Sequence, residues 1–314
     1  MNARAPPRAR APPLAVPADK ERGPAMDFIL YAIMIGILDG GIYALMACGL
    51  TLVFGVMEVI NVAQGSLVIL GAYLSYVLAQ YAHMNLYLGL VITMPAVFLL
   101  GLGIEWTFLR RLRVDRIALS ILATYGVGLA IEGALGMIFG DTYVALPAPA
   151  ATFTVFGYAT PFVKLYVFLM ACVFLAALYF LLYRSRFGAA LRATVQNRTA
   201  AQLIGINVER VSTLTFAIGA ALAAAGGLAF GATRSFHPGS AEDLISRLLV
   251  IIVLGGFGSL AGALLGALLM LVVEDMVSIL ISPIWAPVVF FAGLIVLLLL
   301  RPQGLFGQPE ARRQ

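Results

Sequence analysis

FVKLYVFLMACVFLAALYFLLY, residues 162 to 183, holds one lysine and no other charged side chain. A helix needs roughly 20 apolar residues to cross a hydrocarbon core, and this run supplies them. The chain then turns polar at once: RSRFGAALRATVQNRTAAQLIGINVERVS, residues 184 to 212, carries five arginines and one glutamate. An apolar run closed by a basic stretch reads as a membrane span that emerges on the cytoplasmic side. If that is right, lipid must be the solvent for the rest of the chain as well.

The composition agrees. Of 314 residues, 62% are hydrophobic and 11% charged, against about 25% charged in a soluble domain. Further apolar runs lie near 28–60, 66–82, 86–109, 117–139, 211–232, 244–273 and 284–300. The expected fold is all-α, a polytopic transmembrane helical bundle of roughly eight to ten membrane segments, some broken by glycine. The range reflects 28–60 and 244–273, each longer than one simple crossing. Gly255, Gly256 and Gly258 interrupt the second of these.

Charge placement orients the segments. Of 20 Lys and Arg, 17 fall in four bands: five in residues 4–22, four in 110–116, five in 184–210 and three in 301–313. Only Lys164, Arg234 and Arg247 lie elsewhere. Such banding is the positive-inside pattern rather than a nucleic-acid-binding face. With 110–116 and 184–210 cytoplasmic, runs 117–139 and 162–183 form an out-and-back pair. Their connection, DTYVALPAPAATFTVFGYATP, has no Lys or Arg and belongs outside. A cytoplasmic C-terminus requires three crossings after residue 233, so 244–273 is expected to cross twice. The basic N-terminal tail similarly asks for two crossings within 28–60. Residues 1–25 lack the apolar h-region of a secretory signal and are expected to be a disordered Pro/Ala-rich tail. Met26 is an alternative start, the transmembrane domain is placed at 26–306, and 307–314 is a short cytoplasmic tail.

Several chemistries are excluded. Cys48 and Cys172 lie in apolar runs without metal-ligand spacing and read as small buried residues. His83 and His237 sit at outer ends of spans with no nucleophile or metal partner nearby. GGFGSLAGALLG, residues 255 to 266, resembles a dinucleotide fingerprint, but Ala261 replaces its third glycine and the context is a span. No P-loop occurs. No catalytic residue, metal site or enzymatic activity is therefore expected.

Three features suit a transport path. First, charges inside a membrane are costly and usually functional. Of Asp39, Glu58, Glu105, Glu132, Glu274 and Asp275, only Asp39 and Glu132 look deep; Glu105 is expected to pair with the Arg110–Arg116 cluster, and the others to sit near helix ends. Second, GLTLVFGVMEVINVAQGSLVILGAYLSY, residues 49 to 76, contains a polar break at Asn61, Gln64, Gly65 and Ser66. It reads either as non-helical backbone lining a solute path or as a plain cytoplasmic turn. Third, Gly219, Ala223, Gly227 and Gly231 recur every four residues, as do Gly258, Gly262 and Gly266. These stripes are packing seams or sliding surfaces between helices.

The basic island has its own punctuation. Asn197 suits an N-cap and Gly205 a left-handed C′ stop, which delimits about two helical turns. Ala201, Leu203 and Ile204 give that helix apolar contact, and Leu191 and Val195 form another pair just upstream. On physics alone it is either a docking element for a protein or an interfacial helix on lipid.

Several blocks together resemble the permease subunits of ABC importers for branched-chain amino acids, the LivH type. They are GIYALMACGLTLVFGVMEVINVAQGSLVILGAYL, RATVQNRTAAQLIGINVERV, AIGAALAAAGGLAFG, VLGGFGSLAGALLGA and RPQGLFGQ. The family commonly has Phe and His where this chain has Val62 and Gln64. The resemblance implies a multi-pass protein of the bacterial inner (plasma) membrane that moves branched-chain or related small amino acids into the cytoplasm. It implies a second, related permease subunit, two cytoplasmic ATPase subunits that hold the ATP and Mg, and a periplasmic solute-binding protein. No cofactor belongs to this chain itself. By position, the ATPase-coupling residues are Asn197, Arg198, Ala201, Gln202, Leu203, Ile204 and Gly205. The competing class is an ion-gradient-driven secondary carrier of a small polar solute.

Overall fold

Without water, a membrane-embedded backbone can satisfy its own polar groups only as a helix or a closed barrel. The apolar runs accordingly become helices. The computed structural model describes residues 24–112, 116–301 and 304–305. Among them are α1 (Pro24–Met57), α2 (Gln64–Gln80), α3 (Leu86–Thr107), α4 (Arg116–Phe139), α5 (Phe162–Arg184), α6 (Arg186–Gln196), α7 (Arg198–Leu203), α8 (Val208–Thr233), α9 (Ser240–Gly255), α10 (Leu260–Leu280) and α11 (Ala286–Leu300). Helices α1, α3, α4, α5, α8 and α10 are long and apolar enough to cross a bilayer. Helices α2, α9 and α11 are shorter, with 17, 16 and 15 residues. A β-hairpin of Thr152–Val155 and Tyr158–Pro161 is the only sheet among the described residues. Its turn has positive φ at Phe156 and Gly157, the geometry that matches strand twist.

The two long runs behave differently. The 28–60 run does not double back but forms the single helix α1, 34 residues long and about 51 Å at 1.5 Å per residue. Its glycines accommodate neighbours instead of breaking it. A Cβ at Gly36 would collide with the Val272 backbone, and one at Gly40 would meet Leu268 at 3.0 Å. The start of α1 reaches the hairpin, where Phe28 and Tyr31 pack on the Tyr158 ring. It therefore lies on the face opposite residues 184–210, which corrects the expected two crossings. The 244–273 run does split, into α9 and α10, around a turn with positive φ at Gly256 and Gly258. Ser259 caps α10 by accepting from the Gly262 amide at 3.0 Å. Three helices thus follow residue 233. Of the tail 1–25 expected to be disordered, Pro24 and Ala25 begin α1; the rest of it and the tail 307–314 lie outside the described residues.

The two bands 110–116 and 184–210 share one face. Arg110 forms an ion pair with Glu209, and Thr213 donates a 2.6 Å hydrogen bond to buried Glu105. We call this the basic face and the side bearing the hairpin the far face.

Helices α1–α2–α3 and α8–α9–α10 repeat one pattern: a long helix, a non-helical break, a shorter helix and another long helix. Helices α1 and α8 run antiparallel, since Gly49 lies beside Gly219 and Asp39 beside Arg234. The two units are therefore inverted relative to each other. Their contacts are reciprocal: the most extensive pairings are α1 on α10 and α3 on α8.

Helix α8 is the centre, buried along almost its whole length. Packing between membrane helices relies on close approach at small residues. A Cβ added to Gly219 would stand 3.0 Å from the Gly49 carbonyl, and one on Gly227 would collide with the Val68 carbonyl. Ala223 is fully buried, and Gly231 abuts Leu146 and Phe236. In the second stripe, Gly262 and Gly266 press on α9, whereas Gly258 lies in the turn and is not part of a helix seam. Helices α4, α5 and α11 expose Leu122, Val173 and Leu299 on the outside of the bundle. Cys172 is exposed on α5 rather than buried, while Cys48 is buried in α1.

Gly227→Leu is expected to prevent α8 from seating on α2 and to cost about 1–3 kcal/mol or more. Size-exclusion of the detergent-extracted protein should lose its monodisperse peak. Gly126→Leu, at a position with nothing within 4 Å of the added atom, should keep it.

Candidate functional site

The break between α1 and α2 lies deep in the bundle. Gln64 donates to the Gly219 carbonyl at 3.3 Å and the Met46 carbonyl at 3.5 Å. Gly219 is the twelfth of the 26 residues of α8, so α2 begins near mid-height. Residues 58–63 are therefore non-helical backbone at membrane depth, and protein braces them. Asn61, 1% exposed, donates to the Gln64 side chain at 3.2 Å. Thr124 of α4 accepts from the Val62 amide at 3.0 Å and donates toward the Ser120 carbonyl at 2.7 Å. Asn61 and Gln64 thus bond to each other, and Gln64 ties the break to the α1 and α8 backbones.

The matching break between α8 and α9 comes to the same place. Residues 234–239 run back from the end of α8, held by paired hydrogen bonds between Val144 and Phe236 at 2.9 and 2.8 Å. Helix α9 then begins against α2. A Cβ at Gly65 would collide with the Ala241 carbonyl, so glycine is needed for the two breaks to touch. Beside this contact a cleft opens between α2, α4 and α9, and Ser66, Val62, Glu132 and Glu242 line it. Of the four expected path residues, Ser66 alone faces the cleft, while Gly65 forms the crossing point.

Toward the far face the bundle holds a charge network. Asp39 of α1 lies 3.0 Å from Lys164 of α5 and 3.0 Å from Arg234 at the end of α8. Arg247 of α9 pairs with Glu274 of α10, reaches Asp243 at 2.9 Å and lies over the Phe290 ring. The three cations outside the basic bands each pair with a buried acid, Asp39 or Glu274. Glu274 and Asp275 are accordingly not helix-end groups but members of a buried network within α10. The sequence signal was available in the three exceptions to the banding.

On the basic face the island folds as α6 and α7. The Ser185 hydroxyl accepts from the Gly188 amide at 2.9 Å to start α6. The Asn197 side chain accepts from the Ala200 amide at 2.9 Å to start α7. Gly205, at φ +87°, stops α7: its amide donates to Gln202 and that of Ile206 to Ala201. This is the Schellman arrangement. Ala201 is buried, but Leu203 and Ile204 are 84% and 74% exposed. Beside α7 a cavity of about 750 Å³ is lined by Arg110, Arg111, Arg198, Glu105 and Glu209. At the far face, His237 instead bonds Asp141 at 3.0 Å, and His83 is exposed.

The family model for the permease component of branched-chain amino acid transport systems matches residues 32–299, from α1 to α11. The chain is 30% identical over 304 residues to the high-affinity branched-chain amino acid transport system permease protein LivH of Salmonella typhimurium (strain LT2), covering 91% of this chain and 98% of the relative. LivH of Escherichia coli (strain K12) is 29% identical over the same shares. A probable LivH of the archaeon Methanocaldococcus jannaschii is 27% identical over 86% of this chain and 90% of its own. No solved structure matches the chain. With both breaks and all eleven helices inside or overlapping the matched region, this chain belongs to the family of branched-chain amino acid transport permeases.

Proposed function

We propose that this chain is the membrane-spanning permease subunit of an ATP-driven importer that carries branched-chain or related small amino acids into the bacterial cytoplasm. The observation that carries the reading is the contact of two helix breaks, one from each inverted unit, at Gly65 and Ala241. Transporters built from inverted units keep their solute site at such a junction, near the bilayer midplane. The relatives named above, permeases of branched-chain amino acid transport systems, supply the solute class.

In this reading the basic face and the C-terminus are cytoplasmic, and the far face receives a periplasmic binding protein. A second, related permease completes the pathway, and two ATPase subunits hold ATP and Mg at the basic face. The α7 helix is their contact, because an apolar pair projecting from a capped helix suits a protein cleft. A push on α7 reaches α8 directly, since only Ile204–Asn207 separate them. Helix α8 in turn carries Gly219 against Gln64. Motion of one rigid helix therefore changes the break at mid-height and the network at the far end together.

The test is uptake of radiolabelled leucine by cells that express the chain with its transport partners. Uptake that requires the chain and collapses on ATP depletion supports the reading; uptake unaffected by loss of the chain overturns it.

A further inference from the structure

Glu132 stands apart from the other acids of the spans. It lies on α4, about 10 Å from the far-face end at 1.5 Å per residue. Asp39 has Lys164 and Arg234, Glu274 has Arg247, and Glu105 has Thr213; Asp275 makes no hydrogen bond or ion pair among the described residues but is buried in the network between Asp39, Lys164, Arg234 and Glu274. Among the described residues Glu132 has no hydrogen bond and no ion pair. The charged or titratable groups around it are Glu242, Asp141, His237 and, on the cleft wall, Tyr125, and His237 is already bonded to Asp141. A carboxylate in a membrane span without a cation is costly and marks function by default.

A second observation at the same place points to a ligand. Ser66 is 6% exposed and lines the cleft beneath Glu132, yet among the described residues its hydroxyl has no partner. Its oxygen therefore opens on the cleft and is free to bond to an occupant. The free volume here is about 30 Å³. That admits two or three water-sized groups, since roughly 10–15 Å³ of such volume holds one. An ammonium group is of this size, and a whole amino acid is larger. Two carboxylates and no cation line the cleft, so it attracts a positive group and repels the solute's own carboxylate. Val62, Leu129 and Ile245 add apolar wall. The described residues hold no metal-ligand cluster here.

We propose that this cleft between α2, α4 and α9 is the subsite for the ammonium group of the transported solute, with Glu132 and Glu242 as its charged walls and the Ser66 hydroxyl as its floor. The proposal rests on the solute-path reading above. It makes the class of solute a primary amine with an apolar side chain, and it makes Glu132 a specificity residue beyond the recognition supplied by the binding protein.

Two arms test it. In proteoliposomes with the complete transporter, Glu132→Gln is expected to lower the kcat of leucine uptake at least about tenfold with KM unchanged, because the binding protein sets KM. Glu132→Asp should recover part of the loss, and Ser66→Ala should lower kcat by less. Wild-type uptake in Glu132→Gln overturns the subsite. The second arm needs no transport: a hydrophobic carbodiimide labels Glu132 in the purified chain, read by mass spectrometry. Methylammonium should slow the labelling and acetate should not; no protection, or equal protection by acetate, overturns the subsite. Protection in a protein that moves no amino acid keeps the ammonium subsite and removes only the proposed solute.

Discussion

Leu203→Asp is expected to reduce ATP-driven uptake to background while the protein inserts, folds and assembles its far-face network. Residue 203 is 84% exposed at the end of α7 and supports nothing within this chain. The substitution is therefore expected to be silent for folding and, if α7 docks on an ATPase as proposed, to act on that contact. A carboxylate forced into an apolar cleft loses its hydration without gaining a counter-ion. A central interface residue contributes about 2 kcal/mol or more, which is roughly a thirtyfold or greater loss of docking. Gly205→Pro should give the same phenotype by another route. The left-handed φ of +87° at Gly205 is closed to proline, whose ring fixes φ near −65°, so the α7 stop is destroyed. Solute uptake and ATP hydrolysis measured on the same membranes check both variants. Coupled transport at wild-type rates in Leu203→Asp and Gly205→Pro would remove α7 from the coupling path.

Arg247→Met is expected to be the most destabilising change in the membrane domain. Arg247 satisfies Glu274 on α10 and Asp243 on its own helix, and it covers the Phe290 ring of α11. Removing one member of a buried ion pair costs about 3–5 kcal/mol, because the remaining charge stays desolvated and unpaired. Replacing both members by apolar residues often costs little. Arg247→Met should therefore lower the yield of folded protein sharply, and Arg247→Met with Glu274→Met should restore most of it. Thermal unfolding in detergent reads both. Equal stability of the single variant and wild type would show that Glu274 does not depend on Arg247.

Much of this molecule is legible in its sequence, for physical reasons. Lipid as solvent forces long apolar helices, so the runs at 117–139 and 162–183 appear as α4 and α5 within a residue or two. Helix caps are local chemistry, so Asn197 and Gly205 bound α7. The failures came where glycine has two meanings. In 28–60 it reads as a break, yet Gly36 and Gly40 serve only to admit Val272 and Leu268, which lie more than 200 residues away in sequence. At 255–258 the same residue type does form a turn. Only the tertiary partners distinguish these cases. The depth of the 58–63 break was also not readable, because it is fixed by where Gln64 meets α8. Glu132 stood out as a deep acid, whereas Glu242 at the start of α9 joins it only through the inverted packing.

The charge banding carried more than orientation. Lys164, Arg234 and Arg247 are outside every band because each has a buried carboxylate to compensate. Reading the exceptions to the positive-inside pattern as partners for buried acids would have located the network from sequence.

As the proposed permease subunit, this chain conducts solute and leaves the powering of its movement to partner subunits. The most direct measurement is leucine uptake into proteoliposomes that hold the purified chain alone, tested with proton and sodium gradients, against proteoliposomes that hold the chain with its partner permease, ATPases, binding protein and ATP. Uptake only in the complete, ATP-loaded system is the predicted result. Gradient-driven uptake by the chain alone would contradict it and make the protein a secondary carrier.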